Sequence, residues 1–149
     1  DTHAADETVA VLRAQEDDLG VGSLDYCQNF TAQAAAIRET LREQITILKD
    51  EGKTLAAYGA AAKGSTLLNF CGINATDLAF VADRSPHKQG KLMPGAHVPI
   101  VPAEELAQRA PDVTLLLAWN FSDEILAQQQ TYRNAGGQFL IPIPEVRLV

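Results

Sequence analysis

The chain has 149 residues, of which 46% are apolar, and this length and composition suit one globular domain with a hydrophobic core. Its net charge of −7 argues against bulk binding to nucleic acid or to a membrane surface, and no apolar run reaches the roughly 18 residues that a membrane span needs. Cys27 and Cys71 lie far apart, which argues against a zinc site and indicates free thiols in a cytoplasmic protein. The first residue is Asp1 and no signal sequence follows, so we expect a part of a longer protein.

Residues 1–52 predict a helical lead-in. Residues 6–19 form one predicted helix, and Ser23 or Asp25 can cap a second, long helix that Gly52 ends. Part of the apolar stripe of this second helix is expected to pack on something outside the chain, although the helix could instead run across its own sheet. The stripe recurs every three or four residues, at Tyr26, Phe30, Ala34, Ile37, Leu41, Ile45 and Leu48.

Residues 53–149 alternate strands with helices, which predicts right-handed crossovers and a parallel sheet. The predicted fold class is α/β: a Rossmann-like parallel sheet of about five strands with helices on both faces, preceded by the long helical segment. With strand order 3-2-1-4-5, the turns after the first and fourth strands lie side by side at the edge where such sheets bind ligands. The predicted strands are 54–59, 77–83, 97–102, 112–120 and 138–143, and the predicted helices are 63–72, 103–110 and 122–137.

The stretch "YGAAAKGSTLLNF" (58–70) turns from the first strand into a helix. Its small residues let a ligand approach the backbone, and the free amides and dipole of the helix favour an anion. It does not meet the dinucleotide motif GxGxxG, which needs a glycine at Ala61, nor Walker A, because Lys63 comes one place early. The loop alone therefore indicates either an anion site or a tight turn whose small residues serve packing.

Polar residues follow the ends of the neighbouring strands. Trp119 and Asn120 end the fourth strand, and Asp83 ends the second, about where dinucleotide folds place an acid that binds ribose. A long loop, residues 84–100, follows Asp83, and loops of this length are often functional. We find no catalytic triad pattern and no pair of carboxylates.

Charge is distributed unevenly along the chain. Residues 1–53 carry eleven acids and five bases, whereas residues 54–149 carry eight acids and seven bases. A small anionic ligand would suit this local balance, and solvated surface lysines are the alternative. His87 and His97 can form hydrogen bonds in the long loop. The bases near the predicted ligand edge are Lys63, Arg84, Lys88 and Lys91.

Four segments, in order and with the expected spacing, resemble the C-terminal domain of the sugar C-methyltransferase family. They are "YGAAAKGSTLLNFCGI", "VADRSPHKQGKLMPGAHVPI", "LLLAWNFSDEI" and "GGQFLIPIPE". The lead-in ending "LKDEGKTLAAYGA" is also similar, so the resemblance covers nearly the whole chain.

The resemblance also implies domains and an activity that extend beyond the residues of this chain. Such enzymes have a zinc-binding N-terminal domain, a middle domain that binds S-adenosylmethionine, and a Rossmann-like third domain that helps to hold a nucleotide-linked deoxy-ketosugar. The implied reaction removes a proton beside a 4-keto group, and the enolate attacks the methyl sulfonium. The general base of the family lies in the middle domain. We therefore expect no catalytic residue, metal ligand or cofactor in this chain, and no methyl transfer by the chain alone.

The resemblance also implies a set of substrate-binding residues, among which Lys63 is expected to contact the diphosphate. The chain departs from the family at Ser65 and His87, where asparagine and tyrosine are common, and in the Ala61–Ala62 part of the turn. The predicted substrate-binding residues are Gly59, Ala60, Lys63, Gly64, Ser65, Asn69, Asp83, Lys88, Gln89, Gly90, His97, Trp119 and Asn120.

Two other classes of function remain open. One is an NAD(P)-binding oxidoreductase domain, against which the missing central glycine counts, and a titration followed by nicotinamide fluorescence distinguishes it. The other is a non-catalytic interaction module, which predicts packing through the long helix and no saturable ligand binding.

Overall fold

A computed structural model describes residues 7–149. The chain divides into two compact units, of which one ends at Ala36 and the other runs from Ile37 to Val149. The helices are α1 (Glu7–Asp18), α2 (Leu24–Asp50), α3 (Ala62–Cys71), α4 (Glu105–Arg109), α5 (Ser122–Gln128) and α6 (Gln130–Asn134). The strands are β1 (Leu55–Tyr58), β2 (Val81–Asp83), β3 (Ile100–Pro102), β4 (Val113–Leu116), β5 (Gln138–Ile141) and β6 (Arg147–Leu148).

The strands form one sheet in the order β3-β2-β1-β4-β5-β6. The first five are parallel, which confirms the predicted Rossmann-like fold and strand order. The sixth pairs antiparallel with β5 and was not predicted, because two exposed residues carry no alternating pattern. The ends of β1 and β4 are therefore neighbours, as expected.

Successive side chains along each strand point to opposite faces of the sheet, and they contribute to two hydrophobic cores, one on each face. In β1, Leu55 and Ala57 belong to one core, whereas Ala56 and Tyr58 belong to the other. The second half of α2 and helix α3 supply the first core, and α4, α5 and α6 supply the second. The predicted covering of both faces by helices is thus confirmed.

The apolar stripe of α2 is buried at one end only. Leu41 and Ile45 have no exposed surface and Leu48 is buried, whereas Tyr26 and Phe30 are exposed. The buried half lies in the unit that begins at Ile37, so the compact unit starts within α2 and includes residues before the predicted boundary after residue 52.

Two predicted elements are shorter than expected. The strand predicted over 112–120 ends at Leu116, and Trp119–Phe121 forms a 3-10 turn closed by the amide of Phe121 on the carbonyl of Ala118. The helix predicted over 122–137 is divided at Gln129, whose ψ of 28° is not helical. The first interruption lies where the chain leaves β4, and the second separates α5 from α6.

Candidate functional site

The turn after β1 depends on Gly59. Its φ of 90° lies in the left-handed region, which side chains other than glycine rarely adopt. A Cβ at this position would also lie 2.8 Å from the Cβ of Ala118, in the loop after β4. Glycine therefore lets the two neighbouring loops approach each other at the carboxyl edge.

Gly64 has a different role, in the first turn of α3. A Cβ there would lie 2.7 Å from the Cβ of Leu117, so the absent side chain allows α3 to pack closely on the end of β4. Gly59 and Gly64 thus serve as the first and third glycines of GxGxxG do, in the turn and in helix–strand packing. Ala61 occupies the second position, where glycine would let a pyrophosphate approach the backbone. The loop therefore keeps the glycines that serve the turn and the helix packing, and it lacks the one that brings the backbone closest to the pyrophosphate of a dinucleotide.

Most amides of the turn already have acceptors. The amide of Ala60 donates to Asp83, that of Ala61 to the carbonyl of Gly59, and that of Ser65 to the carbonyl of Ala61. The first turn of a helix has no intrahelical acceptors, and no side chain caps α3. The N–H groups left to meet an anion are those of residues 62–64.

The Lys63 ammonium group lies over the ring of Trp119, 4.4 Å from the ring centroid. This cation–π contact joins the first turn of α3 to the loop after β4. Partial burial lowers the pKa of Lys63. The predicted adjacency of the two loops is therefore realised in a direct contact between two of the predicted site residues.

Asp83, at the end of β2, is almost fully buried. One carboxylate oxygen accepts the amide of Ala60 at 2.6 Å, and the other accepts the amide of Ser85 at 2.8 Å. Lys88 Nζ lies 3.5 Å from the first oxygen, and the Gln89 amide group donates to the main-chain carbonyl of Asp83 at 3.0 Å. The carboxylate is thus engaged by main-chain amides of the same chain. It lies at the position where dinucleotide-binding folds present an acid to the ribose.

The long loop after Asp83 is anchored to α3 by Asn69. The Asn69 side-chain amide donates to the carbonyl of Pro94 at 2.9 Å and to that of Ser65 at 2.7 Å. Gly95 is left-handed, and a Cβ there would collide with the Asn69 side chain. Asn69 therefore holds the loop in place from the side of α3.

A cleft of about 270 Å³ opens at the carboxyl ends of β1, β2 and β4. Such a switch point between strands is where open α/β sheets bind ligands. Burial, the largest influence, raises the pKa of Tyr58 on the floor of the cleft. The lining residues are Tyr58, Gly59, Asp83, Arg84, Ala118, Phe121, Glu124, Ile125 and Gln128.

Sequence reasoning did not select several side chains that line this cleft. Tyr58 belongs to the predicted first strand, although it directly precedes the turn, and Arg84 is predicted only as a base near the ligand edge. Glu124 and Gln128 are one helical turn apart on α5, and they are joined by a hydrogen bond of 2.7 Å. Phe121 is 60% exposed. In the sequence, the signal for this residue is an aromatic side chain directly after the predicted fourth strand.

The remaining predicted residues are not partners in the Asp83 and Lys63 contacts described above. The side chains of Asn120 and His97 are exposed, and His97 occupies a left-handed turn position with a φ of 55°. Gly90 forms another left-handed turn, and its amide donates to the carbonyl of Ile100. Ser65 contributes main-chain groups to α3.

Within residues 7–149, no group of three or more His, Cys, Asp or Glu side chains could hold a metal ion. No helix of the described part of the chain is long and apolar enough to cross a membrane. Cys27 and Cys71 are both free, and burial raises the pKa of the Cys71 thiol.

These features define a Rossmann-like domain with a cleft at the switch point and a cationic loop beside it. Comparison with known proteins gives the family: residues 1–144 match the model of the C-methyltransferase C-terminal domain, and the chain belongs to this family. C-methyltransferase NovU of Streptomyces niveus is 37% identical over 147 residues, which are 99% of this chain and 35% of that protein. The chain therefore spans about a third of the length of this relative.

Proposed function

We propose that this chain is the substrate-docking domain of an S-adenosylmethionine-dependent sugar C-methyltransferase. It helps to hold a nucleotide-linked deoxy-ketosugar by its diphosphate and nucleotide. Membership in the C-methyltransferase C-terminal domain family supports the enzyme class. The position of the cleft at the switch point of the sheet supports a docking role.

The observation that carries the proposal is the Lys63 ammonium group over Trp119, beside the uncapped first turn of α3. A diphosphate there would meet one fixed cation and the N–H groups of residues 62–64. Both the charge and the helix dipole favour a dianion. Ala61 limits close approach to the backbone, so Lys63 carries a larger share of the contact than a lysine beside a fully glycine-lined loop would.

The same features argue against an adenosine cofactor at this edge. Folds of this type hold such a cofactor through the middle glycine and through a free acid at the end of the second strand. Ala61 replaces that glycine, and the carboxylate of Asp83 is engaged by two main-chain amides. The residues present do not fit NAD(P) in the usual manner of this fold, and the engaged carboxylate leaves no free acid for the ribose of S-adenosylmethionine.

We accordingly place the methyl donor in the remaining part of the full-length protein, together with the general base and a zinc-binding domain. S-adenosylmethionine would supply the methyl group there. The chain by itself is expected to bind the nucleotide sugar without transferring a methyl group.

The test is calorimetric titration of a nucleoside diphosphate into the full-length protein, comparing wild type with Lys63→Ala. A charge-assisted contact contributes roughly 1.5–3 kcal/mol, and each ~1.4 kcal/mol is tenfold in affinity, so the variant should bind about ten- to a hundredfold more weakly. Thermal stability should fall only modestly, because a cation–π contact between half-buried side chains contributes on the order of 1 kcal/mol.

Lys53→Ala is the matched control. Lys53 immediately precedes Thr54 at the amino end of β1 and pairs with Asp112 at 3.9 Å, so this variant removes the same charge at the opposite edge of the sheet. It should bind the nucleoside diphosphate as the wild type does. Equal affinity of the wild type and Lys63→Ala would refute the role of Lys63, and NADH that saturates the wild type would favour the oxidoreductase alternative.

A further inference from the structure

We infer that Asp83 is a positioning residue that fixes the anion-binding loop before any ligand arrives; this inference rests on the proposed function of that loop. Its buried carboxylate bridges two segments, since Ala60 belongs to the turn after β1 and Ser85 begins the long loop after β2. The bond to Ala60, at 2.6 Å, is short for a contact between an amide and a carboxylate.

The bridge determines which amides of the turn face the ligand. Because Ala60 donates to Asp83 and Ala61 donates to Gly59, the chain enters α3 with these two N–H groups already engaged within the protein. The bridge therefore also fixes the positions of the donors that come next in the chain, which are the N–H groups of residues 62–64 and the Lys63 side chain. A loop without this bridge would present its donors in several orientations, which weakens a contact that depends on their convergence.

The long loop is held by the same residue. Gln89 donates to the main-chain carbonyl of Asp83 at 3.0 Å, and Lys88 lies 3.5 Å from its carboxylate. Asn69 ties the far side of this loop to α3 through the carbonyl of Pro94. The long loop is thus held beside the turn by Lys88, Gln89 and Asn69, which are predicted substrate-binding residues.

Because Asp83 is charged, the inference can be tested by whether its neutralisation raises or lowers the affinity for a nucleoside diphosphate. A carboxylate beside an anion site repels the ligand, so its neutralisation alone should strengthen the binding of a nucleoside diphosphate. Asp83→Asn also removes one acceptor, because an amide oxygen can serve Ala60 or Ser85 and the NH₂ group then faces the other donor. If the bridge positions the loop, Asp83→Asn should bind the nucleoside diphosphate about tenfold more weakly or worse.

Asp83→Glu separates geometry from charge. It keeps the carboxylate but displaces it by one methylene group, so it should also bind more weakly if position matters. Asp112→Asn is the matched control, because Asp112 likewise accepts a main-chain amide, that of Thr54 at 2.8 Å, at the opposite edge of the sheet. This control should lower thermal stability and leave affinity for the nucleoside diphosphate unchanged.

We would titrate these variants of the full-length protein with a nucleoside diphosphate and compare their affinities with that of the wild type. Weaker binding by both Asp83 variants, with normal binding by Asp112→Asn, supports the inference. Tighter binding by Asp83→Asn, or wild-type affinity in Asp83→Glu, overturns it.

A measurement on the wild type needs no folded variant. Hydrogen exchange of the Ala60 and Ser85 amides, followed residue by residue, should be slow in the ligand-free protein, because both donate to the Asp83 carboxylate. Fast exchange that slows only when nucleoside diphosphate is added would overturn the inference. If the wild type binds no nucleoside diphosphate, the proposed function fails, while slow exchange would still support the bridge.

Discussion

Gly64 illustrates how one residue can serve architecture within a stretch that looks like a ligand motif. Sequence alone indicates an anion site or a packing turn for "YGAAAKGSTLLNF", and the structure shows two packing glycines on either side of a lysine that contacts Trp119. Gly64 packs α3 on Leu117, and Gly59 turns the chain past Ala118. Lys63, between them, points its ammonium group over Trp119. Spacing alone could not separate these roles, because they depend on loops more than 50 residues apart.

Replacement of Gly64 by alanine should therefore destabilise the fold. The added Cβ would meet Leu117 at 2.7 Å, and overpacking of this kind costs about 1–3 kcal/mol. The free energy of unfolding in urea would measure the loss. Gly22→Ala is the control, because a Cβ there meets no atom within 4 Å. Equal stability of Gly64→Ala and the wild type would show that α3 can move away without cost.

At the scale of elements, the fold followed from the sequence wherever the hydrophobic period was long enough. The runs around Leu55 and Val113 alternate between the two cores, and they were recognised as central strands with the right neighbours. The short strand β6 and the break at Gln129 were missed, since two residues or one dihedral angle carry no period. The cleft was missed in part, because Tyr58 belongs both to the second core and to the lining.

Asp77 joins two elements whose contact is not predicted by any pattern in the sequence. Its buried carboxylate accepts hydrogen bonds from Arg42 at 2.8 Å and from Lys49 at 2.9 Å, which ties α2 to the segment before β2. Burial alone would raise the pKa of Asp77, but the hydrogen bonds from Lys49 and Arg42 outweigh it, and the pKa is lowered. The ionised carboxylate is therefore a stabilising link between the elements.

Asp77→Asn should lower the free energy of unfolding by roughly 1.5–3 kcal/mol at neutral pH, the range for hydrogen bonds to charged groups. A lowered folded-state pKa means that the unfolded state binds the proton first as pH falls. The wild-type advantage is therefore present above the unfolded-state pKa of about 3.9 and is lost below it, through the folded-state pKa. Urea unfolding of both proteins across this range measures the difference.

Asp50→Asn, an exposed substitution on the same helix, is the control and should leave stability and its pH dependence nearly unchanged. A stability difference between the wild type and Asp77→Asn that stayed constant down to the most acidic pH would contradict the role of an ionised Asp77. So would the absence of any difference at neutral pH.

At the scale of the whole molecule, the chain combines a sheet whose first five strands are parallel with a helical segment whose large apolar residues are exposed. Phe30 is 67% exposed and Leu24 is 80% exposed, whereas Ile45 at the other end of α2 has no exposed surface. The chain spans about a third of a C-methyltransferase relative, and we propose that the rest of such a protein supplies the methyl donor site. In this proposal, docking of the nucleotide sugar is the part of the reaction that belongs to this chain.

The most direct test is a crystal structure of the full-length protein with a nucleoside diphosphate bound. We predict diphosphate oxygens within about 3 Å of Lys63 Nζ and of the N–H groups of residues 62–64, the distance of an ordinary hydrogen bond. The carboxylate of Asp83 should remain on the amides of Ala60 and Ser85. A nucleotide bound to another part of the protein, with the Lys63 ammonium group still over Trp119 and no ligand at this edge, would contradict the proposed docking function.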